Sequence, residues 1–181
     1  MGDLLSFEPV DINNAEHRAQ VRRYYVYMSL ATAHLGGPLK FPMPLGQPAA
    51  YDELMLKRHA EAGHRMHIAF IKEDGKRVGF VQGKTFTKTL PEYGAVDHLF
   101  VEGTSRNKGI ATAAMDYIET WIRRGGAKGA VMMVGKTNWP ARRMYAARGW
   151  GPSTLAPQPS RTSDMWQKDF VVTSVEENTL A

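Results

Sequence analysis

Residues 95–111 constrain the fold more than any other part of this 181-residue chain. An apolar run from Ala95 to Val101 leads into a short polar loop, and that loop opens directly into an amphipathic helix. The loop carries three residues that suit an anion, namely Arg106, Lys108 and Gly109. Backbone N–H groups at a helix start have no partners within the helix and lie at the positive end of its dipole, so they attract negative charge. The segment therefore predicts a strand, a phosphate-binding loop and a helix in succession.

Residues 138–150 predict a second helix with a cap at each end. Asn138 is a good N-cap, and Pro140 is tolerated in a first helical turn, where its missing N–H is not needed. Gly149 is a natural residue at which to end the helix. Asn138, Ala141 and Tyr145 are three to four residues apart, so they share one helix face. That face presents an amide, a small side chain and a phenol in line.

Taken alone, the first segment also suits an ordinary solvated turn, and the second also suits a capped helix whose tyrosine anchors the core. Both, however, resemble parts of one family. The pattern Arg106-x-x-Gly109-x-Ala111 resembles the pyrophosphate-binding signature of the GNAT N-acetyltransferases. Residues 138–150 resemble the Asn-x-x-Ala-x-x-x-Tyr-x-x-x-Gly-aromatic segment of the same family. Their order, with a strand between them, favours the family over two unrelated elements.

The hydrophobic pattern by itself indicates only a mixed α/β domain. Its predicted strands lie at residues 6–12, 67–71, 77–87, 93–101, 128–134 and 165–171, and its predicted helices at 13–33, 51–62, 110–124 and 138–148. The resemblance implies the GNAT fold, of the α/β (α+β) class. Its central sheet is mixed and mostly antiparallel, with six to seven strands and about four flanking helices, and is splayed between the fourth and fifth strands. One domain, 1–181, is expected, with an acyl-CoA-binding core at 93–150.

Composition narrows the class of protein. Hydrophobic residues make up 43% and charged residues 23% of the chain, as in soluble globular proteins. The absence of cysteine excludes disulfides, thiolate catalysis and cysteine-bound zinc. The net charge of +5 favours anionic ligands, but the basic residues are scattered among acidic ones, which argues against a nucleic-acid partner. No apolar run approaches a membrane span and the first ten residues lack a basic signal-peptide start, so no membrane partner and a cytoplasmic location are expected. His59, His64 and His67 are interpreted as surface residues, and no metal is expected.

The resemblance implies acetyl transfer from acetyl-CoA, a co-substrate, to an amine. Backbone groups of the strand segment Leu99, Phe100 and Val101 are expected to bind the pantetheine arm. The pyrophosphate is expected at Arg106, Asn107, Lys108, Gly109, Ile110, Ala111 and Thr112. Asn138 and Ala141 are expected along the coenzyme arm, and Tyr145 near the sulfur.

Tyr145 is the predicted general acid, because a phenol with a pKa of about 10 is protonated at neutral pH. Many family members carry a glutamate base on the strand before Asn138, but this chain has methionine at 132 and 133. The remaining candidates for the base are Asp97, His98 and Glu102, of which we favour Asp97. Strand alternation predicts Asp97 on the face of Leu99 and Val101, and His98 on the other face with Val96 and Phe100.

The acceptor is predicted to be a small-molecule amine that contacts Tyr24, Tyr27 and Phe41. The tyrosines fit equally well as core residues of an amphipathic helix. The loop at 34–49, which is rich in glycine and proline, is a predicted lid. Two alternatives stay open at this point: a peptide or protein N-acetyltransferase, and a non-catalytic acyl-CoA-binding regulatory module. Dimers are common in the family, so a homodimer also stays open.

Overall fold

The computed structural model of the protein describes residues 4–33, 53, 56, 57, 60, 64–86, 92–155 and 162–171. Seven strands and three helices occupy these residues, besides a 3₁₀ turn at Gly103–Ser105. The strands are β1 (Leu5–Pro9), β2 (His64–Glu73), β3 (Lys76–Phe86), β4 (Tyr93–Val101), β5 (Gly129–Gly135), β6 (Gly151–Pro152) and β7 (Ser163–Asp169). The helices are α1 (Ala15–Ala33), α2 (Ile110–Arg124) and α3 (Trp139–Ala147).

The seven strands form one sheet in the order β1-β2-β3-β4-β5-β7-β6. Neighbouring strands are antiparallel except β4 and β5, which are parallel, so the predicted mixed, mostly antiparallel sheet is confirmed. β4 and α2 have the predicted bounds at both ends, whereas the short β6 was not predicted. The predicted helix at 51–62 lies mostly outside the described residues, although the described positions Glu53, Leu56, Lys57 and Ala60 are helical. Within the described part of the chain, no helix is long and apolar enough to cross a membrane.

The two faces of the sheet carry separate apolar cores. On one face, Ile110, Met115 and Ile118 of α2 pack with residues such as Val81 and Ala130 of the sheet. On the other face, aromatic rings dominate where α1 meets the sheet, with Val21, Tyr24, Phe70, Phe80 and Phe100 in contact. We call these the α2 face and the α1 face. Burial of these side chains fixes which surface of each helix meets the sheet.

Local residue chemistry explains several element boundaries. The Asn14 side chain accepts a hydrogen bond from the Glu16 N–H (2.9 Å) at the start of α1, as an N-cap does. Asp74 and Gly75 have φ of 50° and 79°, which a type I′ turn between β2 and β3 requires. Gly149, with φ of 81°, ends α3 in the left-handed conformation that glycine adopts most readily.

β4 and β5 separate partway along their length. They pair from Tyr93 opposite Gly129 only as far as Val96 opposite Met132. Each strand nevertheless continues on its other side, since β4 pairs with β3 to Val101 and β5 pairs with β7 to Gly135. A gap therefore opens in the middle of the sheet, where the splay was predicted.

A β-bulge in β4 coincides with this separation. Val96 lies opposite Gly83 and His98 opposite Gln82, so Asp97 is an extra residue with no partner on β3. A bulge bends its strand and increases the local twist, which carries the end of β4 away from β5.

Candidate active site in the cleft between β4 and β5

The gap forms a cleft of about 110 Å³. Its lining comes from α1, β4, β5 and α3: Met28, Ser29, Val96, Asp97, His98, Leu99, Met132, Met133, Val134, Gly135, Asn138 and Tyr145. Since α1 and α3 cover opposite faces, the cleft lies within the sheet between the two helical layers. The structure thus brings together Asp97, Leu99, Asn138 and Tyr145 from the predicted set.

Tyr145 lies on α3 and packs against the same core as Ile110 and Ala114 of α2. The phenol and the predicted phosphate loop are therefore on one face of the sheet. None of the described residues hydrogen-bonds the Tyr145 hydroxyl. Burial raises the pKa of Tyr145 to about 12, because a phenolate loses hydration there. The phenol accordingly keeps its proton throughout the physiological range.

Asn138 is the N-cap of α3, as predicted, with Pro140 in the first turn. Its Oδ1 accepts a long hydrogen bond (3.4 Å) from the Ala141 N–H. No described residue uses its Nδ2 group, so the amide can donate to a ligand in the cleft. Ala141 follows one turn later without lining the cleft.

The predicted phosphate loop connects β4 to α2 and contains the 3₁₀ turn, which was not predicted. Gly109 is the N-cap of α2, with φ of 78°, and it has no side chain to cap the helix. The first hydrogen bond of α2 runs from the Ala113 N–H to the Gly109 carbonyl (3.1 Å). The backbone N–H groups of Gly109, Ile110, Ala111 and Thr112 therefore find no acceptor among the described residues. Such a set of donors at the positive end of a helix dipole suits an anion.

The two cations of the loop differ in their surroundings. Arg106 is exposed, and its Nε donates to the Val101 carbonyl (2.9 Å), while no described residue binds its Nη groups. Lys108 forms an ion pair with Glu73 (2.7 Å), whose other carboxylate oxygen accepts from the Ser105 hydroxyl (2.7 Å). The neighbouring Asn107 adopts a left-handed φ of 62°. Arg106 is thus the better placed of the two cations for a diphosphate.

Glu73 was not among the predicted site residues. The sequence places Glu73 at the start of the β2–β3 turn. Its contact with the phosphate loop is a tertiary contact, which the sequence does not reveal.

Leu99 is the member of the predicted strand segment that lines the cleft. Phe100 is buried against the α1-face core, which leaves only its backbone for a ligand. The Val101 carbonyl already accepts the Arg106 Nε–H, and Val101 lies outside the cleft lining.

The prediction that alternation separates Asp97 from His98 is wrong, because the bulge interrupts alternation. Asp97 contacts Lys84 (3.1 Å) and the Gln82 Nε2 (3.5 Å), and Gln82 accepts a hydrogen bond from Tyr25 of α1. His98 stacks edge-on against Tyr25, with ring centroids 4.8 Å apart. Both candidate bases therefore lie on the α1 face, whereas Val96 packs into the α2-face core. Glu102 does not line the cleft.

The predicted acceptor residues need a correction. Tyr24 is fully buried (0% exposed) and stacks on Phe80, so it has no surface to offer a substrate. Burial also raises the pKa of its phenol. Tyr27 is exposed and its hydroxyl accepts from Arg23 (2.8 Å), outside the cleft lining. Phe41 and the predicted lid at 34–49 lie outside the described residues.

Two residues of α1 that were not predicted as site residues, Met28 and Ser29, line the cleft instead. Met133 of β5 joins them with 42% of its surface exposed. The hydrophobic periodicity of the sequence could not reveal these residues, because the cleft depends on how α1 crosses the splayed strands.

The residues of this site fit an acyl-CoA thioester on three structural observations. The first turn of α2 offers unpaired N–H donors, and Arg106 adds an exposed guanidinium. Apart from Gly109 and its two chain neighbours, no atom of the described residues lies within 4 Å of the place where a Cβ on Gly109 would be, so a phosphate can approach the backbone closely. Beyond Val96, no strand within the described part of the chain pairs with β4 on its β5 side, which leaves its backbone open to an extended ligand. Among the described residues, no three His, Asp or Glu side chains are grouped to hold a metal ion.

Comparison with known proteins identifies the GNAT family, which the sequence motifs also resemble. Residues 39–150 match the family model described as Acetyltransferase (GNAT) family. An acetyltransferase from Thermus thermophilus is 15% identical with a TM-score of 0.65, over 92% of this chain and 97% of that one. The PaiA N-acetyltransferase of Thermoplasma acidophilum, solved in complex with coenzyme A, is 11% identical with a TM-score of 0.64, over 92% and 99% of the two chains. A GNAT-family acetyltransferase from Streptococcus pneumoniae is 13% identical with a TM-score of 0.65, over 92% and 100%.

No sequence among the curated proteins matches significantly. At these identities the structural likenesses show the fold alone. The family model, in contrast, matches more than half of the sequence. This protein belongs to the GNAT family of acetyltransferases.

Proposed function

We propose that this GNAT acetyltransferase moves the acetyl group of acetyl-CoA directly to a primary amine of a small molecule, within a ternary complex. The observation that carries the proposal is the single cleft in which Tyr145, Asn138 and Asp97 meet, next to the unpaired helix start at Gly109. A cytoplasmic location and the absence of nucleic-acid and membrane partners are part of the same proposal. A homodimer stays a prediction.

The chain divides the task of binding between the loop and the strand. The N–H groups of residues 109–112 and the guanidinium of Arg106 would hold the diphosphate. The open backbone of β4 at Leu99 and the Nδ2 group of Asn138 would bind the pantetheine arm. When bound, acetyl-CoA supplies an activated acetyl thioester.

Tyr145 would assist departure of the sulfur. Its pKa of about 12 keeps the phenol protonated. A thiol has a pKa near 8.5, so full proton transfer from such a phenol is uphill by roughly 3.5 pKa units. Tyr145 therefore acts mainly by hydrogen bonding to the charge that develops on the leaving group, which is the part of general-acid catalysis that a weak acid performs well.

Asp97 would serve the attacking amine. An amine with a pKa of about 10.4 is neutral in roughly one molecule in a few thousand at pH 7, a cost of about 4–5 kcal/mol. The Asp97 carboxylate lies in the cleft, between Lys84 and Gln82, where it can accept a proton directly or through water. His98, on the same face, is the alternative base.

The test is release of free coenzyme A thiol from acetyl-CoA over a panel of small amines and short peptides. We expect release that depends on a primary amine and that falls sharply in Tyr145→Phe. Release with peptides alone would instead identify a peptide N-acetyltransferase. Calorimetric binding of coenzyme A without transfer to any amine would indicate a binding module, and no binding at all would contradict the proposal.

A further inference from the structure

Helix α3 carries Tyr145 but has no fully buried residue of its own. Only Met144 and Tyr145 pack partly against the α2-face core. Hydrophobic burial therefore fixes this helix less firmly than it fixes α2, five of whose apolar residues are buried. Two arginines, Arg142 and Arg148, lie three residues before and three residues after Tyr145.

Arg142 attaches α3 to β7. Its Nη1 donates to Asp164 (2.7 Å), and its guanidinium lies over the ring of the buried Trp166, 5.0 Å from the centroid. The ring of Trp139 lies 5.6 Å from the same guanidinium. We call the Arg142–Asp164 pair the β7 clamp.

Arg148 attaches the other end of α3 to α2. Its Nη2 donates to Asp116 (2.5 Å) and to Glu119 (3.3 Å). Glu119 is 4% exposed, and it also accepts hydrogen bonds from the Trp150 indole (3.0 Å) and from Lys168 of β7 (2.6 Å). A buried carboxylate with several charged donors is well satisfied, and losing one partner is costly. We call the contacts of Arg148 with Asp116 and Glu119 the α2 clamp.

The two clamps join α3 to different elements. β7 is paired with β5, whereas α2 follows β4 in the chain. Since β4 and β5 stop pairing at Val96 and Met132, main-chain hydrogen bonds no longer set their distance beyond that point. Beside this open part of the cleft, α3 is held to β7 by Arg142 and to α2 by Arg148, and Lys168 of β7 shares the Glu119 carboxylate with Arg148.

We propose that Arg142 and Arg148 are positioning residues, which together hold α3 in place and so fix the position of the Tyr145 hydroxyl. This inference rests on the proposed function for its kinetic consequence. Catalysis is sensitive to shifts of about 1 Å in a reacting group, which can cost roughly 100-fold in rate. Neither arginine lines the cleft, so each acts through Tyr145 and not on the substrate.

The experiment compares Arg142→Gln and Arg148→Gln with Arg143→Gln. Arg143 is exposed on the same helix, and no ion pair of its side chain is found in the described residues, so its variant removes an equal charge without touching a clamp. Glu119→Gln loosens the α2 clamp from the other side and keeps an acceptor for the Trp150 indole. It carries the test where Arg148→Gln does not fold.

Kinetics give the first readout. We expect each clamp variant to lower kcat about tenfold or more, with the KM for acetyl-CoA within about threefold of wild type, because the reacting group moves and the phosphate loop does not. Arg143→Gln should match wild type in both constants.

The second readout is the alkaline absorbance titration of Tyr145, isolated by subtracting the spectrum of the same protein with Tyr145→Phe. The pKa of Tyr145 should fall below about 12 in the clamp variants, because a displaced phenol is better hydrated. Folded clamp variants with wild-type kcat and an unmoved titration would overturn the inference, as would equal effects in Arg143→Gln. Wild-type protein without transfer activity would instead refute the proposed function, and the titration would still decide on the clamps.

Discussion

The Tyr145 hydroxyl is set apart from the other groups in the cleft by what surrounds it. It is buried enough to raise its pKa to about 12, yet no described residue hydrogen-bonds it. The side chain is only partly buried and lines the cleft, so this donor is available to a ligand there.

Tyr145→Phe should lower kcat by about 100-fold or more while the KM for acetyl-CoA changes little, since the hydroxyl serves the reacting sulfur and not the diphosphate. Steady-state kinetics with the preferred amine measure both constants. Tyr93→Phe is the matched control, because its hydroxyl bonds Asp169 at the far end of β4. Unchanged turnover in Tyr145→Phe would rule out the assigned role.

The raised pKa of Tyr145 also predicts a pH dependence of stability. The folded phenol keeps its proton to about 12, whereas an unfolded tyrosine releases it near 10. The contribution of the protonated Tyr145 phenol to the free energy of unfolding is therefore fully present below pH 10, and it is lost as the pH rises through 12. Urea unfolding at pH 9 and pH 11 should show wild type losing more stability than Tyr145→Phe, and equal losses would contradict the assignment.

Asp97→Asn tests the base. We expect a lower kcat/KM and an altered pH profile, because a carboxamide cannot take up the amine proton. His98→Gln is the companion variant, since His98 lines the same cleft. If the profile is unaltered in Asp97→Asn and changed in His98→Gln, the histidine is the base.

At the scale of elements, the accuracy of sequence prediction followed the range of the interactions involved. The caps at Asn138 and Gly149, the turn at Asp74-Gly75 and the bounds of α2 rest on local chemistry, and the structure confirms them. The bulge at Asp97 depends on register with β3, which no local pattern encodes. Hydrophobic periodicity placed Tyr24 on an apolar helix face. Only the folded structure shows that this side chain lies in the core and is not available to contact an acceptor.

A substitution at Gly109 tests the predicted phosphate loop. Gly109→Ala should cost about 1 kcal/mol of stability, because its φ of 78° strains any residue with a Cβ. It should also weaken coenzyme A binding, since a Cβ would occupy space that a phosphate needs.

Gly126→Ala is the matched control for this substitution. Its φ is 90°, and its Cβ position is also free of contacts within 4 Å from the described residues beyond its chain neighbours, but it follows the opposite end of α2. Denaturant unfolding should show similar losses for the two variants, and calorimetry should show weakened coenzyme binding for Gly109→Ala alone. Equal affinities in both variants would contradict the placement of the diphosphate.

At the scale of the whole molecule, the sheet is continuous at one end and divided at the other. The aromatic core under α1 and the aliphatic core under α2 hold its two faces. The division between β4 and β5 gives access to one cleft from two helical layers. Under the proposed function, an acceptor on the α1 face would meet the thioester in this cleft without a covalent intermediate on the protein.

The most direct test of this account is a crystal structure of the protein grown with coenzyme A. We expect the diphosphate on the N–H groups of residues 109–112, the pantetheine arm along β4 beyond Val96, and the sulfur within hydrogen-bonding reach of the Tyr145 hydroxyl. Coenzyme A bound outside the β4–β5 cleft, or bound there with its sulfur remote from Tyr145, would contradict it.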